Sequence, residues 1–133
     1  MQEVLKGVEE IVGIKDLVKD AYDNAKNHGF WEDWERIKQL ENMAINISKD
    51  GEKQVKIDKC NAIGNRLMLI TDEVSEAHEA LRKRDYENFK EELADIVIRV
   101  ADLAGGLDID LEKEIKNKMD KNKNRPYKHG KAF

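Results

Sequence analysis

The sequence predicts an all-α protein, an antiparallel bundle of four to five helices that assembles into oligomers. Three observations carry this expectation. Apolar residues recur with the i, i+4, i+7 rhythm of a buried helical face, most regularly from Leu67 to Ala104. No segment of useful length alternates with the two-residue period of a strand. At 133 residues the chain is small, and its helices carry more apolar edge than one bundle covers, for example Met68 and His78 beside the main stripe.

The elements follow in order. A first helix is expected from about Gly13 to Asn27, where Ile14, Leu17, Val18, Ala21 and Ala25 keep helical spacing and Gly29 suits the end. Phe30, Trp31 and Trp34 come next, and most of this cluster should anchor the core. A second helix should run from Glu32 to Ile47 with Ile37, Leu40, Ala44 and Ile47 inward. Residues 48–53, SKDGEK, read as a turn. A long helix from Ile57 to Lys83 follows, with Ile63, Leu67, Ile70, Val74, Ala77 and Leu81 as its core stripe. Gly64 would mark a kink or a close helix contact in it. Asp85 can cap the next helix, whose stripe is Phe89, Leu93, Ile96, Val97, Val100, Leu103 and Ala104 and which ends at Gly105–Gly106. Asp108 or Asp110 starts the last helix, which must stop before Pro126. The tail is irregular. One domain, 1–133, is the expectation for this length.

The chemistry concentrates on the two longest helices. Glu73 and Glu76 are three apart on the first, Glu92 and Asp95 three apart on the second. Such pairs lie on one helix face, a turn from each other. Each pair runs along the margin of a core stripe, and Ala80 continues the first line with a side chain small enough to leave room for a ligand. Packed antiparallel, the helices would bring four carboxylates together across a cleft. That cluster repels itself unless cations fill it. Hard ions that prefer oxygen, Mg²⁺ or Mn²⁺, are the natural occupants. Charged residues make up 39% of the chain, so spacing alone leaves a solvated acidic surface as an equal alternative.

Charge is unevenly spread. From Thr71 to Asp95 nine acids face four bases, whereas from Lys113 to Lys131 eight Lys/Arg face two acids. Lys118, Asn122 and Arg125 share one face of the last helix at i, i+4, i+7. The net charge of −4 and the few aromatic residues argue against a duplex nucleic acid partner. No apolar run reaches the roughly 18 residues of a membrane helix, and the first residues do not read as a secretion signal. The single cysteine, Cys60, excludes an intrachain disulfide and suits a cytoplasmic location. Cys60 reads as a small half-buried apolar residue, and His78 as a packed or interface histidine.

DEVSE followed by ELAD resembles the EExxE…ExxD signature of the MazG-like all-α nucleoside triphosphate pyrophosphohydrolases, with fifteen residues between Glu76 and Glu92. Asp72 stands where that signature has its first Glu. The run from AKNHGFW to NKNRPYKHGKAF extends the resemblance over about residues 15–133. It implies an enzyme that converts a (deoxy)nucleoside triphosphate to the monophosphate and pyrophosphate, in control or cleaning of the nucleotide pool. Glu73, Glu76, Glu92 and Asp95 would hold Mg²⁺, with Mn²⁺ as a substitute. Lys118 would contact phosphate, Asn122 would add a polar contact, and Arg125 is a further candidate. An aromatic would line the base pocket, Trp31 first and Tyr22 second. Family members form dimers or dimers of dimers, so a homodimer or homotetramer is expected.

Three other identities share parts of this pattern. A phosphoribosyl-ATP pyrophosphohydrolase would share the acidic motifs. A ferritin-like di-iron protein needs Glu-x-x-His pairs, and none of His28, His78 and His129 has Glu three residues before it. A non-enzymatic helical interaction module would leave the acids solvated and bind no divalent ion.

Overall fold

The computed structural model describes residues 13–44 and 48–133, and within them it is all-helical. Five α-helices follow one another: α1 (Ile14–Asn27), α2 (Glu32–Ala44), α3 (Lys49–Arg82), α4 (Tyr86–Gly106) and α5 (Leu111–Lys123). A short 3₁₀ turn, Tyr127–Gly130, closes the tail. α3 and α4 form an antiparallel hairpin across the Lys83–Asp85 turn; α1 packs on the other side of α4, α2 packs on α3, and α5 rests against α1.

Local chemistry sets most of the helix ends. The Asp85 side chain accepts from the Asn88 N–H at 3.1 Å and so caps α4. Asp110 caps α5 in the same way through Lys113 N–H. At the end of α1, Phe30 N–H reaches back to Ala25 O at 3.1 Å. Gly29 makes this reversal possible with φ +85°, a conformation that costs glycine little.

The stretch read as a turn at 48–53 is instead the start of α3. Ser48 Oγ accepts from Gly51 N–H at 3.1 Å, and Asp50 and Glu52 occupy the first turn, where the helix dipole favours acids. α3 thereby reaches 34 residues, about 50 Å at 1.5 Å per residue. It runs unbroken through Gly64, where a Cβ would meet nothing within 4 Å, so no close contact depends on that glycine. Ile47 and the Ala44 side chain lie outside the described residues.

The core gathers around Trp31, Trp34 and Ala62, with Tyr22, Ala25, Ile37, Ile63, Leu103 and Leu107 packed against them. Trp31 is 1% exposed. Its ring meets Tyr22 and Trp34 edge-on at 5.4 and 6.1 Å, and the Arg66 guanidinium lies over it at 4.1 Å. The indole N–H donates to Asp102 Oδ1 at 2.7 Å. Gly106 lets α4 come this close, because a Cβ there would enter the Trp31 ring.

Several residues expected inward are not. Leu40, Leu67, Val74, Leu81, Leu93, Val97 and Val100 remain one-third to one-half exposed, while Ala77, Ala80, Ala101 and Ala104 are buried. Helix contacts within the protomer run along the alanines, where backbones approach closely, and the larger residues project past those seams. Ala80 is thus filled by packing and leaves no room for a ligand. His78 and Cys60 are exposed, not packed.

Arg66 ties this arrangement together. Its two terminal nitrogens donate to both Asp33 oxygens, at 3.2 and 2.8 Å, and to the Ala62 and Phe30 carbonyls. The Arg66 hydrogen bonds hold the Asp33 carboxyl below its ordinary range. Arg66→Met should therefore lower folding stability by roughly 2–3 kcal/mol, since it leaves carbonyls and a carboxylate without donors and uncovers Trp31. Urea unfolding followed by circular dichroism measures this. A midpoint equal to that of the unmutated protein would show that the cluster holds without Arg66.

Candidate metal and nucleotide site

Antiparallel pairing of α3 and α4 brings Glu73 opposite Glu92 and Asp95. One carboxylate oxygen from each of the three lies within 4.8 Å of the others. Glu73 and Glu92 are half-buried and Asp95 is exposed. Glu76, a turn further along α3, is exposed and outside this trio, but its charge reaches Glu92. The structure thus gathers three of the four expected carboxylates closely and leaves the fourth at the edge.

The cluster offsets its own repulsion in two ways. Arg99 Nε donates to Glu73 Oε1 at 2.8 Å and holds that carboxyl below its ordinary range. Glu92 goes the other way: desolvation, then the hydrogen bond with Glu73, then the charges of Glu76, Asp95 and Glu73, push its pKa up to about 7. Glu92 Oε2 is buried and finds no hydrogen-bond partner among the described residues. A buried carboxylate oxygen with nothing to accept from is costly unless a proton or a cation satisfies it. Three clustered carboxylates, one of them with an orphaned oxygen, fit a divalent ion of the Mg²⁺ or Mn²⁺ kind.

Glu73 and Asp95 also line the mouth of a cavity of about 540 Å³. α3 contributes Leu69, Arg66 and Asn65 to its wall, α4 contributes Ile98, Arg99 and Asp102, and Asn24 of α1, Phe30 of the following turn and Asp33 of α2 close it. Burial pushes the Asp102 carboxyl up, against the Trp31 hydrogen bond and the Arg66 and Arg99 charges. Trp31 itself is in the core behind this wall, with no face free to stack on a base. Tyr22 packs beside it.

The basic residues of the last helix are elsewhere. Lys118 and Asn122 are exposed on α5, but the helix ends at Lys123, so Arg125, also exposed, lies beyond it and does not share their helical face; α5 packs against α1, and among the described residues none from α5 lines the cavity. Arg125 pairs with His129 Nδ1 at 2.8 Å. The search for carboxylate pairs three apart left out Arg99 and Asp102. The available signal was their spacing from Asp95, i+4 and i+7 on the same face, and the fact that Arg99 is the one basic residue between Lys90 and Gly106.

The raised Glu92 pKa predicts a pH dependence in divalent-free buffer. Between its ordinary value of 4.5 and about 7 the folded protein binds the proton more tightly than the unfolded chain. This contribution to stability is full below 4.5 and is lost as pH rises through about 7. Melting in EDTA should fall across that window, Glu92→Gln should flatten the fall, and Mg²⁺ should stabilise more at high pH, where it no longer displaces a proton. Parallel pH profiles for the two proteins would place Glu92 outside the cluster's electrostatics.

No curated protein and no solved structure matches the chain. A family model, the MazG nucleotide pyrophosphohydrolase domain, matches residues 64–129. The match spans the acidic residues of both helices together with Arg99, Asp102 and α5. The α1 and α2 wall of the cavity lies before it. Over residues 64–129 the chain therefore carries a domain of the MazG nucleotide pyrophosphohydrolase family.

Proposed function

We propose that this protein is a Mg²⁺-dependent nucleotide pyrophosphohydrolase that converts a (deoxy)nucleoside triphosphate to the monophosphate and pyrophosphate. The observation that carries the proposal is the carboxylate trio with its orphaned Glu92 oxygen, set at the mouth of a nucleotide-sized cavity within the matched domain. Glu73, Glu92 and Asp95 would hold Mg²⁺ or Mn²⁺, and Glu76 would complete the set by a side-chain rotation. When bound, the ion supplies charge neutralisation and lowers the pKa of the attacking water.

The chain's own groups do the rest. Arg99 lines the cavity and is tied to Glu73. With Glu73 engaged in holding the ion, the Arg99 guanidinium would meet phosphate oxygens as charge builds on the leaving pyrophosphate. One carboxylate takes the proton of the attacking water. Lys118, Asn122 and Arg125 enter this scheme as phosphate contacts supplied by a second copy, since α5 in the protomer packs on α1.

A homodimer or homotetramer is part of the proposal. Leu67, Val74 and Leu81 repeat every seven residues along α3, and Leu93, Val97 and Val100 follow on α4. All are exposed by 36–53%. Covering both stripes would bury the apolar surface that the protomer leaves open. We assign residues 1–133 to one domain and the protein to the cytoplasm, acting in nucleotide-pool control. Among the described residues no helix is long and apolar enough to cross a membrane.

Incubation with a panel of triphosphates should release pyrophosphate only when Mg²⁺ is present. Diphosphate and orthophosphate as first products would exclude the mechanism, and full turnover in excess EDTA would exclude the metal. Asp95→Asn and Glu76→Gln should each abolish turnover with helical circular dichroism intact, because removing a charge from a repelling cluster does not harm the metal-free fold. Phosphoribosyl-ATP as the sole substrate would move the enzyme to the alternative activity on this scaffold. Absence of divalent binding would favour a non-enzymatic module.

Sedimentation at micromolar concentration should show a species of at least twice the 15.4 kDa chain mass. Val97→Lys, placed on the α4 stripe, should shift it toward monomer. A monomer in the unmutated protein would remove the assembly and the shared phosphate contacts with it.

A further inference from the structure

The cavity has two ends, and only one is the acidic cluster. Seven residues along α3 lead from Glu73 to Arg66, and seven along α4 from Asp95 to Asp102. Both steps are two helical turns, about 10 Å. Between them lie Leu69 and Ile98, an apolar belt. The sequence of surfaces is acid, then apolar, then polar again. Taking the acidic end as the phosphate site, which rests on the function proposed above, the sugar would cross the belt and the base would meet the Arg66–Asp102 end.

What that end offers a base is set by which hydrogen-bonding groups are still open. Both terminal nitrogens of Arg66 already donate twice, to Asp33, Phe30 and Ala62. Four of its five N–H groups are therefore taken. Asp102 has the opposite status. Its Oδ1 accepts from the buried Trp31 indole at 2.7 Å, which fixes the carboxyl in place, and its Oδ2 accepts from none of the described residues. The amides of Asn24 and Asn65, also on the wall, can turn either way. Arg36 is exposed at the rim. The fixed group at this end is an acceptor.

We infer that Asp102 selects the base: its open oxygen accepts from an exocyclic amine, so the cavity favours amino-bearing bases over their carbonyl-bearing counterparts. A carbonyl oxygen at the same position would face the carboxylate acceptor to acceptor, leaving two buried lone-pair groups opposed without a proton between them. Trp31 then serves the base indirectly, as the donor that holds Asp102 in register. Asp102 is a specificity residue in this scheme and takes no part in the phosphoryl chemistry.

Binding tests this without turnover. Within each pair of α,β-imido analogues, dCTP against dUTP and dATP against dITP, an exocyclic amine beside a bare ring nitrogen is exchanged for a carbonyl beside a ring N–H. Calorimetry with Mg²⁺ should show the amino member binding at least tenfold tighter in whichever base size the cavity admits. Asp102→Asn keeps an oxygen for the Trp31 indole and turns an N–H₂ into the cavity, so the preference should collapse or invert. Affinities within twofold in both pairs for the unmutated protein would overturn the inference. Equal loss for both members of a pair in Asp102→Asn would reduce Asp102 to a support for Trp31. Pyrophosphate release from the natural triphosphates, assayed in parallel, reports separately on the hydrolase: an amine preference without release would uphold Asp102 and remove the catalytic assignment.

Discussion

The tie between Trp31, Arg66 and Asp102 is the interaction on which the rest of the protein depends. A buried indole needs an acceptor for its N–H, and Asp102 on α4 supplies it. Arg66 on α3 covers the ring face and holds Asp33 and the Phe30 carbonyl. One side chain from the α1–α2 segment is thereby fixed to both arms of the long hairpin. This fixes the wall that α1 and α2 present to the cavity, and Gly106 allows α4 to pass close enough to make the contact. A hairpin of α3 and α4 alone would carry the carboxylates but enclose nothing.

The acidic cluster imposes the opposite demand. Three carboxylates within 4.8 Å are unfavourable in the absence of a cation. The fold offsets this with Arg99 on Glu73 and with a proton retained on Glu92 to about pH 7. Arg99 does not reach Glu92 Oε2, which has no hydrogen-bond partner among the described residues. On the proposed function these are placeholders. A divalent ion would take the position of both and release the guanidinium toward the cavity. Strain of this kind is tolerable because it sits on two long, well-packed helices whose alanine seams do not depend on it.

The half-exposed stripes of α3 and α4 follow from the same geometry. Ala77, Ala80, Ala101 and Ala104 occupy the seams within the protomer. Leucines and valines a helical turn away are left with one side in contact and one side open. The hydrophobic effect acts on area and has no preference for which chain covers it. On the proposed assembly, a second copy would cover them with a surface that repeats the same pattern.

The sequence by itself determined the helices, because capping residues and the 3.6-residue period act over a few neighbours. Asp85, Asp110 and Gly29 do what their positions imply, and the spacing of Glu73, Glu92 and Asp95 was enough to place them at facing margins. Ser48 misled only because a serine that opens a helix and a serine in a turn look alike until its partner N–H is known. Tertiary structure alone decided which apolar arc faces inward, since periodicity defines a face without naming its neighbour. It also decided the end of the cavity that Arg66 and Asp102 line. Trp31 and Asp102 are 71 positions apart, Arg66 and Asp33 are 33 apart, and no local pattern records a contact over such distances. The same holds for Lys118, whose helical face was legible but whose distance from the acidic cluster depends on how α5 packs against α1. Short-range rules thus located the carboxylates, while long-range packing brought Arg99 onto Glu73 and Asp102 to the far end of the cavity.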